Sequence, residues 1–367
     1  MFRKFPRPIK RIVIKIGSSN IASYRMKPRT ALLKSLVSQI ALLHQRGIEV
    51  ILVSSGAIVL GMGEQELRAR PGDVASLQAL AAIGQLVLMR TYADLFKPRK
   101  ITCAQVLLTW DDFSDRMRFN NARATLKTIL ERKVIPVINE NDTISTQEIK
   151  FGDNDKLSAL VASQMHADLL IILSDVEGLY DPKSGRKKVF REIKEVTAQI
   201  EGLATGTPNK HMSKGGMSAK LQAVQVATQA NVPCIIANAR TKDVLPRILA
   251  AERIGTLFVE KENRLLSRKH WISFGAKPKG VIFIDAGAEK ALLQGGRSLL
   301  LPGVLKIEGH FKAREVVVVR GKDDQEIARG ISNYSTAELN KALLQASENR
   351  RGQKEAIHCD NLVLSQR

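Results

Sequence analysis

Aromatic residues are scarce in this chain. They make up 5% of its 367 residues, so an extended stacking platform for single-stranded nucleic acid is not expected. Cysteine is scarcer. Cys103, Cys234 and Cys359 are odd in number, widely spaced and form no CxxC pair. That excludes a disulfide framework and a zinc ribbon, and it suits a reducing, cytoplasmic setting. None of the six histidines lies near a serine or cysteine in a nucleophile arrangement, so no catalytic or metal-ligating histidine is assigned. There is no run of 18 apolar residues, so no membrane span is expected. The apolar stretch Ile12–Ile16 is too short for a signal-peptide core and is broken by Lys15. The GxxxxGK[ST] phosphate loop and the calcium-loop pattern are both missing.

What is present reads as an ordinary globular protein, with 44% hydrophobic and 25% charged residues. A length of 367 residues predicts two domains. The net charge is +21, which raises nucleic acid as a partner. The charge is spread rather than gathered into a tail. From Gly275 to Arg367 there are 15 Lys+Arg against 11 Asp+Glu, a net of +4, and the remaining +17 lies in the first 274 residues. A generally basic background or anionic small substrates explain that distribution better than an RNA-binding arm.

Short apolar runs alternate with longer helical stretches up to about residue 260. The pattern predicts strands at Ile12–Ile16, Glu49–Val53, Ile101–Leu107, Val134–Ile138, Leu169–Leu173, Val232–Ile236 and Thr256–Val259. It predicts helices at Thr30–Gln45, Val74–Phe96, Ser114–Arg132, Lys156–His166, Met217–Ala230 and Lys242–Ala251. Such alternation implies an α/β fold, a mainly parallel sheet sandwiched by helices. Ligands in these sheets gather at the carboxyl ends of the strands. Gly17–Ser19, Ser54–Gly56, Asn139–Asp142 and Ser174–Asp175 all fall there. After about Trp271 the texture changes to short strands and turns, with GAKPKG as the boundary and a small C-terminal β-rich domain beyond it. The expected strands there are Gly280–Asp285, Ser298–Leu301, Gly303–Glu308, Glu315–Arg320 and Glu326–Ile331.

Six stretches carry chemistry. In IVIKIGSSN, Lys15 sits inside a buried-strand pattern just before Gly17. Burying an unpaired ammonium is costly, so Lys15 either meets an anion or snorkels to solvent. In VSSGAIVLGMG a strand runs into Ser55 and Gly56 and then a helical run, which offers free N–H groups to an anion or only an ordinary N-cap. In VINENDTIST and FGDNDKLSALVA, seven carboxylates or carboxamides fall close together: Asn139, Glu140, Asn141, Asp142, Asp153, Asn154 and Asp155. Turn chemistry explains one or two of them. The cluster suits a substrate ammonium, Mg²⁺, or a carboxylate that orients a lysine. ILSDVEGLYDPKSG ends a buried strand in a polar turn, which can hold a nucleotide or be plain surface. In HMSKGGMSAKLQAVQVA, Gly215 and Gly216 precede a helix with Lys214 and Lys220 near its start. Lysines are disfavoured at a helix N-terminus unless an anion offsets them.

These blocks, in this order, resemble the amino-acid kinase family, specifically its glutamate-phosphorylating branch with a C-terminal PUA domain. The resemblance covers nearly the whole kinase region. The tail segments GVIFIDAGAEKALLQGGRSLLLPGVLKIEGHF and ARGISNYSTAEL are similar to the PUA module. It implies a kinase domain over residues 1–262, a linker over 263–276 and a PUA domain over 277–360. It implies ATP-dependent phosphorylation of the γ-carboxylate of L-glutamate, the first step towards proline. The alternative keeps the fold and takes another carboxylate, a carbamate or a phosphate as acceptor.

By position, the resemblance assigns Lys15 and Lys220 to the charge on the transferring phosphoryl group, and Asp155 to orienting them, with Asp153 a weaker candidate. It assigns Ser55, Gly56, Asp142 and Asn154 to the glutamate. It assigns Gly17, Ser174, Asp175 and the run Lys214, Gly215, Gly216, Met217, Ser218, Ala219 and Lys220 to ATP. Mg²⁺ would be held through ATP, with no protein side chain as a dedicated ligand. Also implied are a homo-oligomer (dimer or tetramer), feedback inhibition by proline near the loop 141–150, a downstream glutamyl phosphate reductase, and RNA binding by the PUA domain as a further possibility. Two positions depart from the family pattern. Ser213 and Lys214 replace a usual Gly-Thr, and Arg314 stands where a glycine is common.

Overall fold

The protein is described here by a computed structural model covering residues 3, 5, 7–144, 154–182, 188–204, 216–260, 269, 272, 273, 276, 278–294, 296–344 and 355–365. The chain divides into two compact units. One comprises Met1–Asp112 with Met117–Arg264, the other Phe113–Arg116 with Leu265–Arg367.

Up to Phe258 the elements are β1 (Arg11–Ile16), α1 (Ser18–Ile21), α2 (Thr30–Gln45), β2 (Glu49–Ser54), α3 (Ala57–Glu64), α4 (Val74–Phe96), β3 (Cys103–Leu108), α5 (Trp110–Ser114), α6 (Arg116–Glu131), β4 (Ile135–Glu140), α7 (Asn154–Gln164), β5 (Leu169–Ser174), β6 (Glu192–Ile193), α8 (Ala198–Ala204), α9 (Met217–Gln229), β7 (Cys234–Asn238), α10 (Val244–Leu249) and β8 (Thr256–Phe258). The strands form one sheet in the order β3-β4-β2-β1-β5-β7-β8-β6. Its pairs are parallel except β7 with β8. β1 lies in the middle with β2 on one side and β5 on the other, so Lys15 is opposite Val53 and Ile172. In parallel register the strand ends Ile16, Ser54 and Leu173 come side by side, as do Ser174 and Asn238.

The sequence dictates this burial. β5 reads LLIILS and every residue is buried, the mark of a strand covered on both faces. One face packs on α2 through Leu33, Leu36, Val37, Ile40 and Leu43. α7 is buried along almost its whole length, and its Ser158, Ala159 and Ala162 let the backbone approach the sheet closely. α4 begins at Asp73, whose side chain accepts from the Ser76 N–H and caps the helix.

α4 departs from one expectation. Together with the turn that follows it, over Val74–Arg99, it is long and apolar enough by length and composition to cross a membrane. In this structure one side of it packs into the unit's core. Tyr92 and Phe96 are fully buried, Gln85 makes internal hydrogen bonds, and Arg90 and Asp94 pair on its exposed side. The expected single helix Ser114–Arg132 is two, α5 and α6, with a break at Asp115.

The second unit contains β9 (Gly280–Ile284), α11 (Ala286–Leu293), β10 (Val304–Gly309), β11 (Val316–Arg320), β12 (Glu326–Ile331), α12 (Thr336–Leu343) and β13 (Leu362–Leu364). Its five-stranded sheet has the order β10-β9-β11-β12-β13, antiparallel except for β9 with β11. It has its own core, with Ile282, Leu299, Val317, Val319, Ala328 and Ile357 at its centre. The expected strand Ser298–Leu301 is only a single bridge at Leu299, followed by a short 3-10 turn over Leu301–Gly303. Arg314, where a glycine is common, adopts the left-handed φ of +72° that the turn requires.

Candidate active site

The site grows from the carboxyl end of the central strand. Lys15 lies one residue before that end and is 5% exposed. Its Nζ is 2.6 Å from Asp155 Oδ1, at the start of α7. Asp155 Oδ2 accepts from Lys220 Nζ at 3.1 Å, on the first turn of α9. One carboxylate therefore holds two ammonium groups from opposite ends of the unit's sequence. Burial pushes the Asp155 carboxyl up, but the Lys15 charge and then the Lys220 charge outweigh it, and the group sits below its ordinary 3.8. A trio of two cations and one anion leaves a net positive charge in a nearly dry place. Such an arrangement suits an anionic ligand.

Two glycines at helix starts flank the trio, and the Gly17 N–H itself donates to Leu173 O at 3.3 Å. Gly17 follows the strand and is the N-cap of α1, with no side chain capping that helix. A Cβ on Gly17 would lie 3.6 Å from Lys15 Nζ, so the glycine keeps the ground beside the ammonium free of a side chain. Gly216 is the N-cap of α9, again with no side-chain cap and no acidic residue in the first turn. A Cβ there would meet nothing within 4 Å. Met217, Ser218 and Ala219 make the turn between Gly216 and Lys220. The N–H groups of a helix's first turn point out of its start and add to the positive field.

On the other side, Asn154 Nδ2 donates to Ser54 O (3.0 Å), Ser55 Oγ (3.1 Å) and Asn139 Oδ1 (2.9 Å). Asn154 is the neighbour of Asp155, so this polar group adjoins the lysine trio directly. Gly56 has φ +101°, and a Cβ on it would come 2.8 Å from Ile21 Cγ2, so only glycine makes this turn into α3. Asp142 is half-buried beyond β4. Burial raises its pKa to about 6, against the opposing pull of Arg70. Ser174 is buried at the end of β5 and its hydroxyl donates to Asp175 Oδ1 at 3.2 Å.

The structure thus brings Lys15, Gly17, Asp155 and Lys220 together, and Ser55 with Asn154. Lys214, Gly215, Asp153 and the loop positions 145–150 lie outside the described residues. Gln85 and Gln105, which join the Asn139 side of this network, were not legible as site residues. Their only signal was a polar side chain set among apolar neighbours in a helix or strand.

The sequence matches the model of the Amino acid kinase family over residues 10–238 and that of the PUA domain over residues 280–352. The chain belongs to the amino acid kinase family. Within it, the chain is similar to the glutamate 5-kinase of Dictyoglomus thermophilum, 45% identical with 98% of each chain covered. It is similar to the glutamate 5-kinase of Caldanaerobacter subterraneus subsp. tengcongensis at 44%, over 97% of this chain and 98% of that one. The solved carbamate kinase from Giardia lamblia bound to AMP-PNP is 20% identical, with a TM-score of 0.48 over 69% of this chain and 99% of that one.

Both Asp155 oxygens already face an ammonium, so the residues fit a metal carried in by nucleotide phosphates rather than one held by a carboxylate cage. Among the described residues, one group of possible metal ligands lies close together. It is His358, Cys359 and Asp360, in the second unit.

Proposed function

We propose that the protein phosphorylates the γ-carboxylate of L-glutamate with ATP to give L-glutamyl 5-phosphate, the first step of proline synthesis. The observation that carries this reading is the Lys15–Asp155–Lys220 trio, in a chain similar over nearly its full length to glutamate 5-kinases.

The acceptor is already ionised near neutral pH, so no general base is required, consistent with the absence of a histidine from the trio. A γ-carboxylate oxygen attacks the γ-phosphorus of ATP, the bond to the β-bridging oxygen breaks, and ADP leaves. Catalysis of this kind is mainly positioning and charge stabilisation. Lys15 and Lys220 supply the charge to the equatorial phosphoryl oxygens. Asp155 keeps both ammonium groups aimed and prevents their mutual repulsion from dispersing them. Gly17 leaves room for the phosphates beside Lys15, and Gly216 with the turn Met217–Ala219 offers them N–H groups, with Lys214 and Gly215 continuing that run and Ser174 and Asp175 on the nucleotide side. Ser55, Gly56, Asn154 and Asp142 hold the amino acid. Mg²⁺, when bound with ATP, neutralises part of the triphosphate charge.

The family further suggests a cytoplasmic homo-oligomer, a dimer or tetramer, inhibited by proline and supplying a glutamyl phosphate reductase. RNA binding by the C-terminal unit belongs to the same set of proposals. The test is hydroxylamine trapping of the acyl phosphate from ATP with glutamate, aspartate or carbamate, with and without proline. Glutamate-dependent hydroxamate supports the assignment. Silence with glutamate and turnover of another acceptor overturns it.

A further inference from the structure

We infer that Gln85, in the middle of α4, is a positioning residue that sets the amino-acid side of the site through a chain of side-chain amides. The inference rests on the glutamate reading above and deepens it.

The chain runs through four amides. Gln85 Nε2 donates to Gln105 Oε1 at 2.9 Å. Asn139 Nδ2 donates to Gln85 Oε1 at 2.8 Å. Asn154 Nδ2 donates to Asn139 Oδ1 at 2.9 Å, and the Glu140 N–H donates to the same oxygen at 2.9 Å. Asn154 Nδ2 also reaches Ser54 O and Ser55 Oγ.

Amide groups can be turned over, but here two backbone groups fix the direction of the chain. The Glu140 N–H can only donate, so Asn139 must present its oxygen to it and its nitrogen to Gln85. Ser54 O can only accept, so Asn154 must present its nitrogen there. The consequence is at the last link. Asn154 Oδ1 is turned away from the chain, buried, and without a hydrogen-bond partner among the described residues. A buried acceptor of that kind is completed by a donor from a ligand, and the α-ammonium of an amino acid is such a donor.

Gln85 is the link that holds Asn139 from behind. It is 9% exposed and Asn139 is 1% exposed, so water does not readily replace either bond. Without an acceptor at position 85, the Asn139 nitrogen is left buried and unpaired. That favours tilting or turning of the Asn139 amide, which removes the oxygen that orients Asn154. Gln105, at the far end, is exposed and can turn its own amide over in water. The essential property of position 85 is therefore its oxygen, facing Asn139.

The experiment compares the full chain with Gln85→Leu, Gln85→Asn and Gln85→Glu by steady-state hydroxamate formation, varying glutamate and ATP separately. Gln85→Leu removes both bonds at similar volume. Gln85→Asn withdraws the oxygen by one methylene and keeps the assay usable should the apolar variant fail to fold. Gln85→Glu keeps an oxygen towards Asn139. The expected result is a rise of about tenfold in KM for glutamate in Gln85→Leu and Gln85→Asn, the loss of roughly one buried hydrogen bond, with KM for ATP within about twofold of wild type. Gln85→Glu is expected to return most of the lost glutamate affinity. A residue that only fills the core would shift both KM values together and would not be rescued by glutamate at that position. The inference is overturned if KM for glutamate stays within about twofold in both disruptive variants, if KM for ATP rises by the same factor, or if Gln85→Glu behaves like Gln85→Leu. If the wild type takes another acceptor, the glutamate assignment fails by itself, and the same KM comparison is made on that acceptor.

Discussion

Asp155 concentrates the physics of the site in one side chain. Its carboxylate is 2% exposed and touches two ammonium groups that are themselves 5% and 8% exposed. Its folded pKa lies below its ordinary 3.8, so the stability it contributes is present above that value and is lost as pH falls through the folded one. Asp155→Asn keeps the shape and removes the charge, leaving two buried cations facing each other. The expected loss is on the order of 3–5 kcal/mol, read by urea denaturation at pH 7. An unchanged midpoint would mean that the trio is not the buried ion cluster described. Asp142 behaves oppositely. Burial lifts it to about 6, so it is protonated below that pH and charged above it. If it receives the substrate ammonium, KM for glutamate rises as pH is lowered through about 6, and Asp142→Asn flattens the profile.

At this scale the sequence was legible where a residue contradicted its surroundings. Lys15 in a buried strand posed the choice between an anion and snorkelling to solvent, and Lys220 near a helix start suggested an anion. That the anion they share within the protein is Asp155 is a matter of packing, which no spacing encodes.

Helices and strands were legible where periodicity was strong. α2 and α4 occupy Thr30–Gln45 and Val74–Phe96 as their apolar patterns predict. The short helices of the C-terminal unit were missed because strand-like text surrounds them, although their caps were in the sequence. Asp285 accepts from the Ala288 N–H, and Ser335 and Glu338 form a reciprocal capping box. The packing of α3 on α4 was not legible either. A Cβ on Gly84 would run into the carbonyl of Ala57, and one on Gly61 into that of Leu80, so the two helices meet backbone to backbone. Gly84→Ala would force them apart. We expect a loss of about 1–3 kcal/mol, with a lower Tm, while Gly72→Ala, whose Cβ meets nothing within 4 Å, leaves Tm nearly unchanged. Equal Tm values for the two variants would refute the close crossing.

For the whole molecule, alternation of strands and helices predicted the sheet, but not its order. Placing β1 between β2 and β5, and packing α7 with α9 over it, is what carries Lys15 to Lys220. The fold makes one cationic site from segments that are remote in the chain. The most direct test is kcat for glutamate-dependent hydroxamate formation in Lys15→Ala and in Lys220→Ala, each checked for folding by circular dichroism. The account predicts that each loses about a hundredfold or more in kcat, the scale of removing a group that stabilises transition-state charge. Turnover near the wild-type rate in either folded variant would contradict it.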